Sequence, residues 1–353
     1  MFELQLTCKV VTPLFMYGSG DTQELHPELR PSAFKGMMRF WWRALKADPD
    51  TRRLRKEEAE IFGGVGEGEG KSKVCLHISA KNVVIKKDLR SACRLSWNFD
   101  QSKRTVSGPH EGIAYLLYSV VTGKEYVDAG SSFAITLSSR DRSALEQATT
   151  TLWAALYLGG FGLRSRRGGG NIQVVELRKP EELTGIPDFR LSGGDPFQWL
   201  CQNLRMAREK LGAQGATAAK YSHLSGCEFL VSKNSCRCWF EALNELGKLY
   251  KSFRERHRDK FFESAIFGLP VVHRSGVVKP ENQNYGRRAS PLVFKVLEVP
   301  GKGFFWMALR FSGVFLPDGG RVKMGDWKGT VKWQMLDDFW KELGRHGLGS
   351  SVP

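Results

Sequence analysis

The sequence lacks any long apolar run, and no window of 18 residues, the length of a short membrane-spanning helix, is wholly apolar. Residues 1–11 alternate polar and apolar side chains, and they lack the basic segment followed by an apolar stretch that is typical of a secretory signal. We therefore expect a protein that neither spans a membrane nor is exported, and that stays in the cytoplasm.

Cysteine is sparse and shows no regular spacing. Seven cysteines, an odd number, are scattered over 353 residues, which favours reduced thiols over a disulfide framework. His223, Cys227, Cys236 and Cys238 lie close together in the sequence, but the C-x-x-C pair typical of a zinc site is missing. Buried free thiols are the simpler interpretation, with a zinc site as the alternative. We predict neither a metal nor a cofactor.

Acidic residues are few relative to basic ones. The 37 Asp and Glu against 53 Lys and Arg leave a net charge of +16 at pH 7, with a pI near 9.6. Such a surplus favours polyanionic partners, nucleic acid first and an anionic membrane surface second. A basic surface that serves only solubility is the alternative. With 41% hydrophobic and 25% charged residues, the composition is that of a packed globular protein.

Hydrophobic periodicity predicts strands and helices in the order β, α, β, β, α, β in the first half of the chain. The strands are predicted over residues 2–11, 73–80, 132–138 and 171–177, and the two helices of this order over 32–46 and 141–158. A second short helix, over 56–62, is predicted to follow the first. This order is that of a ferredoxin-like split βαβ sheet. Residues 81–112 are predicted to be irregular.

A second domain is predicted after a segment rich in proline and glycine, residues 179–196. We predict a first domain over residues 1–185 and a second over 186–353. The second contains predicted helices over 197–211, 240–258 and 331–343 and predicted strands over 227–232, 292–299 and 304–315. Residues 59–63 (AEIFG) are echoed by residues 265–268 (AIFG), which favours two related domains.

The helix over residues 32–46 is amphipathic, with Ser32 as its predicted N-cap. Its apolar side chains lie on one face, while Lys35, Arg39 and Arg43 follow one another at intervals of four along a second face. Charged helix faces are often merely solvated. We nevertheless take these three cations as candidate contacts for an RNA backbone.

The glycine- and arginine-rich loop, residues 159–171 (GGFGLRSRRGGGN), is the most informative segment. Its six glycines free the backbone to turn N–H groups toward an anion, and its arginines carry forked donors that match phosphate. A flexible solvated connection is the alternative. We predict phosphate contacts from Arg164, Arg166, Arg167, Gly168 and Gly169.

A further pair of cations, Arg287 and Arg288, precedes a predicted strand of the second half and is a candidate phosphate contact there. Residues 63–72 (GGVGEGEGKS) do not form a P-loop, because the first glycine of that motif is replaced by Val65. The strands lack the aromatic signature of an RRM platform, and the tryptophans of the predicted helices are interpreted as core.

Four segments together resemble the RAMP proteins of CRISPR defence, and more narrowly the group formed by the first-named RAMP subunit of type III-B (Cmr) effector complexes. They are residues 30–44 (RPSAFKGMMRFWWRA), 60–63 (EIFG), 159–171, and 288–292 (RASPL). The resemblance implies two tandem ferredoxin-like (RRM-like, βαββαβ) domains. It also implies a cytoplasmic subunit of an antiviral ribonucleoprotein that contacts guide RNA, target RNA and other RAMP subunits near the 3′ portion of the guide.

The same resemblance implies that the chain is not an enzyme, and that its phosphate contacts fall on the helix and loop cations named above. Two alternatives stay open. One is a metal-independent RAMP endoribonuclease that processes CRISPR repeat RNA with His26 or His110 as the acid or base. The other is an adaptor that binds only proteins.

Overall fold

The chain folds as a mixed α+β protein in the computed structural model, which describes residues 1–18, 26–102, 104–213, 218–273, 275–282 and 284–351. The helices are α1 (Pro31–Lys46), α2 (Thr51–Phe62), α3 (Leu89–Ala92), α4 (Glu111–Leu116), α5 (Arg142–Tyr157), α6 (Pro196–Lys210), α7 (Trp239–Arg256) and α8 (Trp333–Gly344). The strands of the first half are β1 (Phe2–Val10), β2 (Val74–Asn82), β3 (Ile85–Lys87), β4 (Asn98–Asp100), β5 (Thr105–Ser107), β6 (Glu125–Val127), β7 (Ser132–Ser139) and β8 (Ile172–Arg178). Those of the second half are β9 (His223–Ser232), β10 (Val271–His273), β11 (Gly276–Pro280), β12 (Leu292–Val299), β13 (Gly303–Ser312), β14 (Arg321–Met324), β15 (Trp327–Thr330) and β16 (Gly347–Ser351).

The first half is built on an antiparallel sheet with the strand order β2-β7-β1-β8. Alternate side chains of β1, from Leu4 through Leu6 and Cys8 to Val10, are fully buried. Since side chains alternate across a strand, these four residues share one face, and they form one core with the apolar sides of α1 and α5.

The second half carries a sheet with the strand order β12-β13-β9-β16, also antiparallel. Along the chain, its first strand is followed by α7 and its third strand by α8, as β1 is followed by α1 and β7 by α5. In each sheet the order is second, third, first and fourth strand. The two halves therefore repeat one topology.

Both faces of the second sheet are buried. Val293 and Leu297 of β12 belong to the core that contains α1, α5 and α6, whereas Phe294 and Val296, on the opposite face, belong to the core around α7 and α8. Strand β12 is thus apolar at six of its eight positions, as expected for a strand covered on both sides. The helices of the first half and the second sheet pack as one unit.

A small antiparallel sheet, with the order β10-β11-β14-β15, lies between α7 and α8 in the chain. Two short strand pairs, β3–β6 and β4–β5, occupy the first half. The prediction that residues 81–112 are irregular is therefore wrong in part, because short strands and helices form there. Short strands carry too few residues to show a period, and the same reason explains why the small sheet was not predicted.

Helix boundaries depend on capping that the sequence indicated only in part. Asp50 accepts hydrogen bonds from the backbone N–H groups of Arg52 and Arg53, so α2 begins at Thr51 and not at residue 56. The predicted N-cap at Ser32 is wrong. Helix α1 begins one residue earlier with Pro31, whose fixed φ and missing N–H suit the first helical position.

The predicted linker, residues 179–196, contains no helix or strand before Pro196, yet it is packed. Its apolar side chains Leu183, Phe189 and Leu191 are buried in the core shared with α5 and α6. The domain boundary at residue 185 stays a prediction. In the parts of the chain that the structure describes, no helix is both long enough and apolar enough to span a membrane.

Candidate nucleic-acid interface

Helix α1 positions its cations by burying its other face. Phe34, Met38, Trp41 and Leu45 recur at intervals of three and four and are almost fully buried. This anchoring places Arg39 and Arg43, on the other side of the helix, toward α2. Trp41, like Trp42 and Trp153, was predicted to be core, and that prediction is confirmed.

The cations of α1 are tied to α2. Arg39 Nη1 lies 2.9 Å from Glu58 Oε1, and Arg43 Nη1 pairs with the other oxygen of the same carboxylate. Arg39 Nη2 also donates to the carbonyl oxygens of Phe62 and Gly63, at the end of α2. Arg39 therefore holds two helices together, while Arg43, with 39% of its side chain exposed, retains donors toward solvent.

Lys35 faces a different part of the surface. Its Nζ lies 3.4 Å from the carbonyl oxygen of Val74 on β2, and burial lowers its pKa, with the charge of Arg39 acting in the same direction. It borders a second, shallower groove with Lys71, Lys73 and Arg140. Lys35 therefore lies apart from Arg39 and Arg43, which line a different groove beside α2.

The backbone of the glycine- and arginine-rich loop is bonded to the protein itself. The N–H groups of Leu163 and Gly170 donate to the carbonyls of Phe15 and Pro13, at 2.8 and 2.9 Å, and that of Gly169 donates within the loop. Gly168 and Gly169 are buried. Gly168 adopts φ +84°, and a Cβ there would lie 2.3 Å from a methyl carbon of Leu243 on α7.

Arg167 points into the second half of the protein. Its Nη2 donates to the carbonyl oxygen of Phe267 at 2.8 Å and to the hydroxyl of Tyr250 at 3.2 Å. The guanidinium carbon lies 5.0 Å from the centre of the Tyr250 ring and 5.3 Å from that of Phe294. These contacts give Arg167 a structural role, and its contact with RNA stays a prediction.

Arg166 lies on the opposite side of the loop backbone. Its guanidinium is 5.3 Å from the ring centres of Phe40 on α1 and Phe311 on β13, and it donates to the carbonyl oxygen of Ser290. Burial lowers the pKa of Arg166 to about 10, and the positive charges of Arg167 and Arg288 act in the same direction. The Arg166 side chain is only half-buried, and its guanidinium lines the groove that Arg39 and Arg43 also line.

Arg164 and the Arg287–Arg288 pair complete the predicted set. Arg164 stacks on the exposed ring of Tyr118, 4.0 Å from its centre, and donates to the Ser119 hydroxyl. Arg287 is exposed. Arg288 donates to the carbonyl oxygen of Val314 at 2.9 Å, and burial lowers its pKa.

A groove of about 660 Å³ gathers four of the predicted cations: Arg39, Arg43, Arg166 and Arg288. They come from α1, from the loop and from the segment before β12, so both halves of the chain build the groove. Five guanidinium groups and two carboxylates line it, which leaves a surplus of positive charge. Such a groove is suited to binding a polyanion.

The groove residues that were not predicted from the sequence include Arg55, Glu58 and Tyr221. Arg55 belongs to a basic run at the start of α2, residues 52–56, which is a signal that could have indicated it. Glu58 carries the carboxylate between Arg39 and Arg43. Tyr221 enters from the segment before β9, and no sequence pattern singles it out, because its place depends on the packing of the second sheet against α1.

The candidate histidines lie elsewhere. His26 is 79% exposed and its Nδ1 lies 2.8 Å from Glu125. His110 precedes α4, where its Nδ1 accepts a hydrogen bond from the N–H of Ser96 at 3.0 Å. Neither is among the described residues that line the groove. Within the described ranges, no cluster of three or more His, Cys, Asp or Glu side chains is arranged to hold a metal ion.

Two family models match the chain, that of the RAMP superfamily over residues 7–173 and that of the Cmr1-like C-terminal region over residues 228–341. A protein of Pyrococcus furiosus named CRISPR system Cmr subunit Cmr1-1 is 30% identical over 335 residues, which cover 89% of this chain and 88% of that relative. The chain belongs to the Cmr1 family of the RAMP superfamily. The resemblance seen in the sequence is thereby confirmed.

Other Cmr1 relatives agree. Subunit Cmr1-2 of the same organism is 33% identical over 196 residues, 51% of this chain and 98% of that relative. The crystal structure of Cmr1 from Pyrococcus furiosus, in its apo form, has a TM-score of 0.68 at 23% identity, covering 100% of this chain and 99% of the other. A chain of the type III-B Cmr-beta structure bound to cognate target RNA has a TM-score of 0.57 at 13% identity, covering 98% and 99%. At these identities the structural likeness shows a shared α+β fold.

Proposed function

We propose that this member of the Cmr1 family is a non-catalytic RNA-binding subunit of a type III-B CRISPR effector complex. It contacts guide RNA, target RNA or both near the 3′ portion of the guide, through phosphates, and it packs against other RAMP subunits. The relatives' names as Cmr subunits and the likeness to a chain of a complex bound to target RNA support this assignment.

The observation that carries the proposal is a pair of guanidinium groups without a counter-charge in the groove. Among the described residues, neither Arg166 nor Arg288 forms an ion pair, and each lies near the positive charge of the other. Nε of Arg288 is buried and has no hydrogen-bond acceptor within the described parts of the chain. Phosphate groups would supply the counter-charge that both guanidinium groups lack.

The proposed architecture is a tandem of two ferredoxin-like (βαββαβ) domains, residues 1–185 and 186–353. The repeated strand order and the matching positions of α1 and α5, and of α7 and α8, support it. The groove then lies where the first helix of one domain meets the segments that lead into β9 and β12 of the other. The target RNA would be selected by base pairing with the guide, since protein contacts to backbone phosphates carry no sequence information.

A paired change in the groove tests the assignment. Arg43→Gln with Arg288→Gln should weaken binding of a guide RNA and of its duplex with target. It should also make the slope of log affinity against log salt less steep by about 1.4 on single strands, at about 0.7 per lost phosphate contact. Fluorescence anisotropy of labelled RNA at several salt concentrations measures both quantities.

The matched control removes two exposed, ion-paired arginines outside the groove, with Arg178→Gln and Arg237→Gln. If the groove variant behaves like this control, the RNA-binding proposal is wrong. Incubation with labelled repeat RNA in EDTA should leave the RNA intact. Site-specific cuts that disappear on His26→Ala or His110→Ala would instead favour the endoribonuclease.

A further inference from the structure

The small sheet β10-β11-β14-β15 has two unlike faces. Val322 and Met324 of β14 are buried against the core around α7 and α8. Because side chains alternate along a strand, Arg321 and Lys323 point to the opposite face, toward solvent. The solvent face is therefore formed by the residues that alternate with Val322 and Met324.

Three lysines form a row across this solvent face. Lys279 of β11 is directly opposite Lys323 of β14, which is directly opposite Lys328 of β15. Like charges in direct cross-strand register repel and lower the stability of a sheet. Among the described residues, the carboxylate paired with this row is that of Glu281, whose Oε1 lies 2.7 Å from Lys328 Nζ. The face retains a surplus of positive charge that a polyanion would neutralise.

An aromatic edge adjoins the lysine row. Trp327, the first residue of the edge strand β15, is 60% exposed although it is paired with the buried Met324. The ring of Phe261 is stacked beside it, with centres 6.3 Å apart and planes at 27°. His273 continues the series, 4.9 Å from Phe261 at 30°. The Trp327 ring thus offers a supported surface to solvent.

Local packing holds these rings in place. Gly329 follows Trp327 by two residues on the same face of β15, and a Cβ there would lie 2.5 Å from the ring of Phe262. The missing side chain lets Phe262 lie directly on the strand, and the Phe262 ring in turn contacts Phe261, with centres 4.5 Å apart. Aromatic surfaces that are already ordered lose little conformational entropy when a ligand stacks on them.

We propose that the small sheet binds single-stranded RNA, with phosphates on the lysine row and a base stacked on Trp327. Stacking bases on aromatic rings beside a basic track is the physical basis of single-strand binding that does not depend on sequence. The lysines and Trp327 belong to opposite faces and meet at the edge strand. A flexible strand can pass around that edge and touch both, whereas a flat lipid surface cannot.

This surface is separate from the groove of the proposed function. Both surfaces are proposed to bind RNA, but they have no lining residue in common. Each proposal can therefore be wrong while the other is right. Of the residues involved, Lys279, Lys328 and Trp327 are exposed and available to a ligand.

The charge test changes Lys279, Lys323 and Lys328 together to Gln in the full chain. Binding to a labelled single-stranded oligouridine should weaken, and the slope of log affinity against log salt should become less steep by about two, at about 0.7 per phosphate contact. A control with equal loss of charge changes the exposed Lys81, Lys87 and Lys124 to Gln. A response no larger than that of the control overturns the inference.

The stacking test compares Trp327→Ala with Trp327→Phe. Loss of the ring should weaken oligouridine binding about tenfold, while Phe should retain most of the affinity. Phe99→Ala, at an exposed ring of β4, is the matched control and should have no effect. Equal affinities of Trp327→Ala and the unchanged protein would refute the stacked base. If Trp327→Ala fails to fold, the lysine variant still tests whether this sheet binds RNA.

Two further results separate this inference from its rivals. The groove variant Arg43→Gln with Arg288→Gln, tested beside the lysine variant, shows which surface fails. If only the groove variant loses affinity, the small sheet is not an RNA surface and the proposed function is unaffected. If the lysine changes abolish binding to phosphatidylserine vesicles and leave RNA affinity unaltered, the ligand of this sheet is a lipid surface and not RNA.

Discussion

Arg166 and Arg167 are neighbours in the chain, yet their guanidinium groups lie in two unlike regions. Arg167 belongs to the inner part of the loop, residues 167–171, where a carbonyl, a hydroxyl and two rings already contact it. Arg166 belongs to the groove, where Arg39, Arg43 and Arg288 are its neighbours in the lining. Both arginines therefore join the halves of the protein, and Arg166 in addition presents its charge to the groove.

This comparison shows that arginines that are neighbours in the sequence cannot all be assigned the same role. Sequence composition indicates how many cations a loop carries. Tertiary contacts decide which guanidinium groups end inside the protein and which reach a groove, and only those that reach a groove remain to bind a phosphate. We expect changes in the inner loop to act on stability and changes in the groove to act on RNA affinity.

The largest effect is expected in the inner loop, from Gly168→Ala. The new methyl group would overlap the buried Leu243, and the backbone would keep a left-handed φ of +84°. Overpacking and strain together should lower the free energy of unfolding by about 2–4 kcal/mol. Urea unfolding measures this change. Gly194→Ala, at an open position of ordinary φ, is the control and should change stability by less than about 0.5 kcal/mol.

A second change in the inner loop, Arg167→Met, should cost about 2 kcal/mol of unfolding free energy, because it leaves the carbonyl of Phe267 without a donor. RNA affinity of the folded protein should stay within about twofold, a change of at most about 0.4 kcal/mol. The exposed Arg287→Met is the control for stability. A large loss of RNA affinity with unchanged stability would show that Arg167 belongs with the groove.

Lys295 provides a pH-dependent test of how the halves are joined. It is 1% exposed, its Nζ donates to the carbonyl of Gly159 at 2.9 Å, and burial lowers its pKa from 10.5 to about 7. Between these values the unfolded chain binds more protons at this lysine than the folded chain does. Its contribution to the free energy of unfolding must therefore rise with pH above about 7.

Lys295→Met should remove this dependence. Between pH 7 and 8.5 the unchanged protein should gain roughly 1–2 kcal/mol of stability relative to the variant, from proton linkage alone. Urea unfolding of both proteins at the two pH values measures the difference. Parallel pH profiles would mean that Lys295 titrates normally and that the junction between the halves is hydrated.

The smallest effect is expected in the groove, from Glu58→Gln. The change removes the carboxylate that pairs with Arg39 and Arg43 and raises the net charge of the groove by one. RNA affinity at low salt should increase about threefold, or roughly 0.6 kcal/mol, and this gain should vanish at high salt. Anisotropy titrations at two salt concentrations measure it. An unchanged or weaker affinity at low salt would argue that RNA does not enter the groove.

Much of the fold could be predicted from the sequence because its signals are local. The alternation in β1, the helical period of α1 and the largely apolar sequence of β12 each reflect neighbours within a few residues. Strand β16 and the small sheet were not predicted. Their strands are short, and they depend on partners far away in the chain, such as β9 for β16 and β11 for β14.

The candidate site could be predicted only as a collection of residue types. The sequence indicated Arg39, Arg43, Arg166 and Arg288, and the structure brings these four together. It gave no reason to separate Lys35 and Arg167 from them, because the contacts of those side chains are made with β2 and with the second half. Trp327 was missed for a related reason, since its exposure follows from its place at the edge of a sheet that was not predicted.

The most direct test of the central claim is a residue-resolved map of photo-crosslinks between the full chain and guide RNA. RNA held by the groove guanidiniums should attach to the peptides that contain Phe40 and Tyr221, which lie in the groove lining beside Arg43 and Arg288. Attachment at these peptides should be lost in the Arg43→Gln, Arg288→Gln protein. A map without groove peptides, or one that these two changes leave unaltered, would contradict the account.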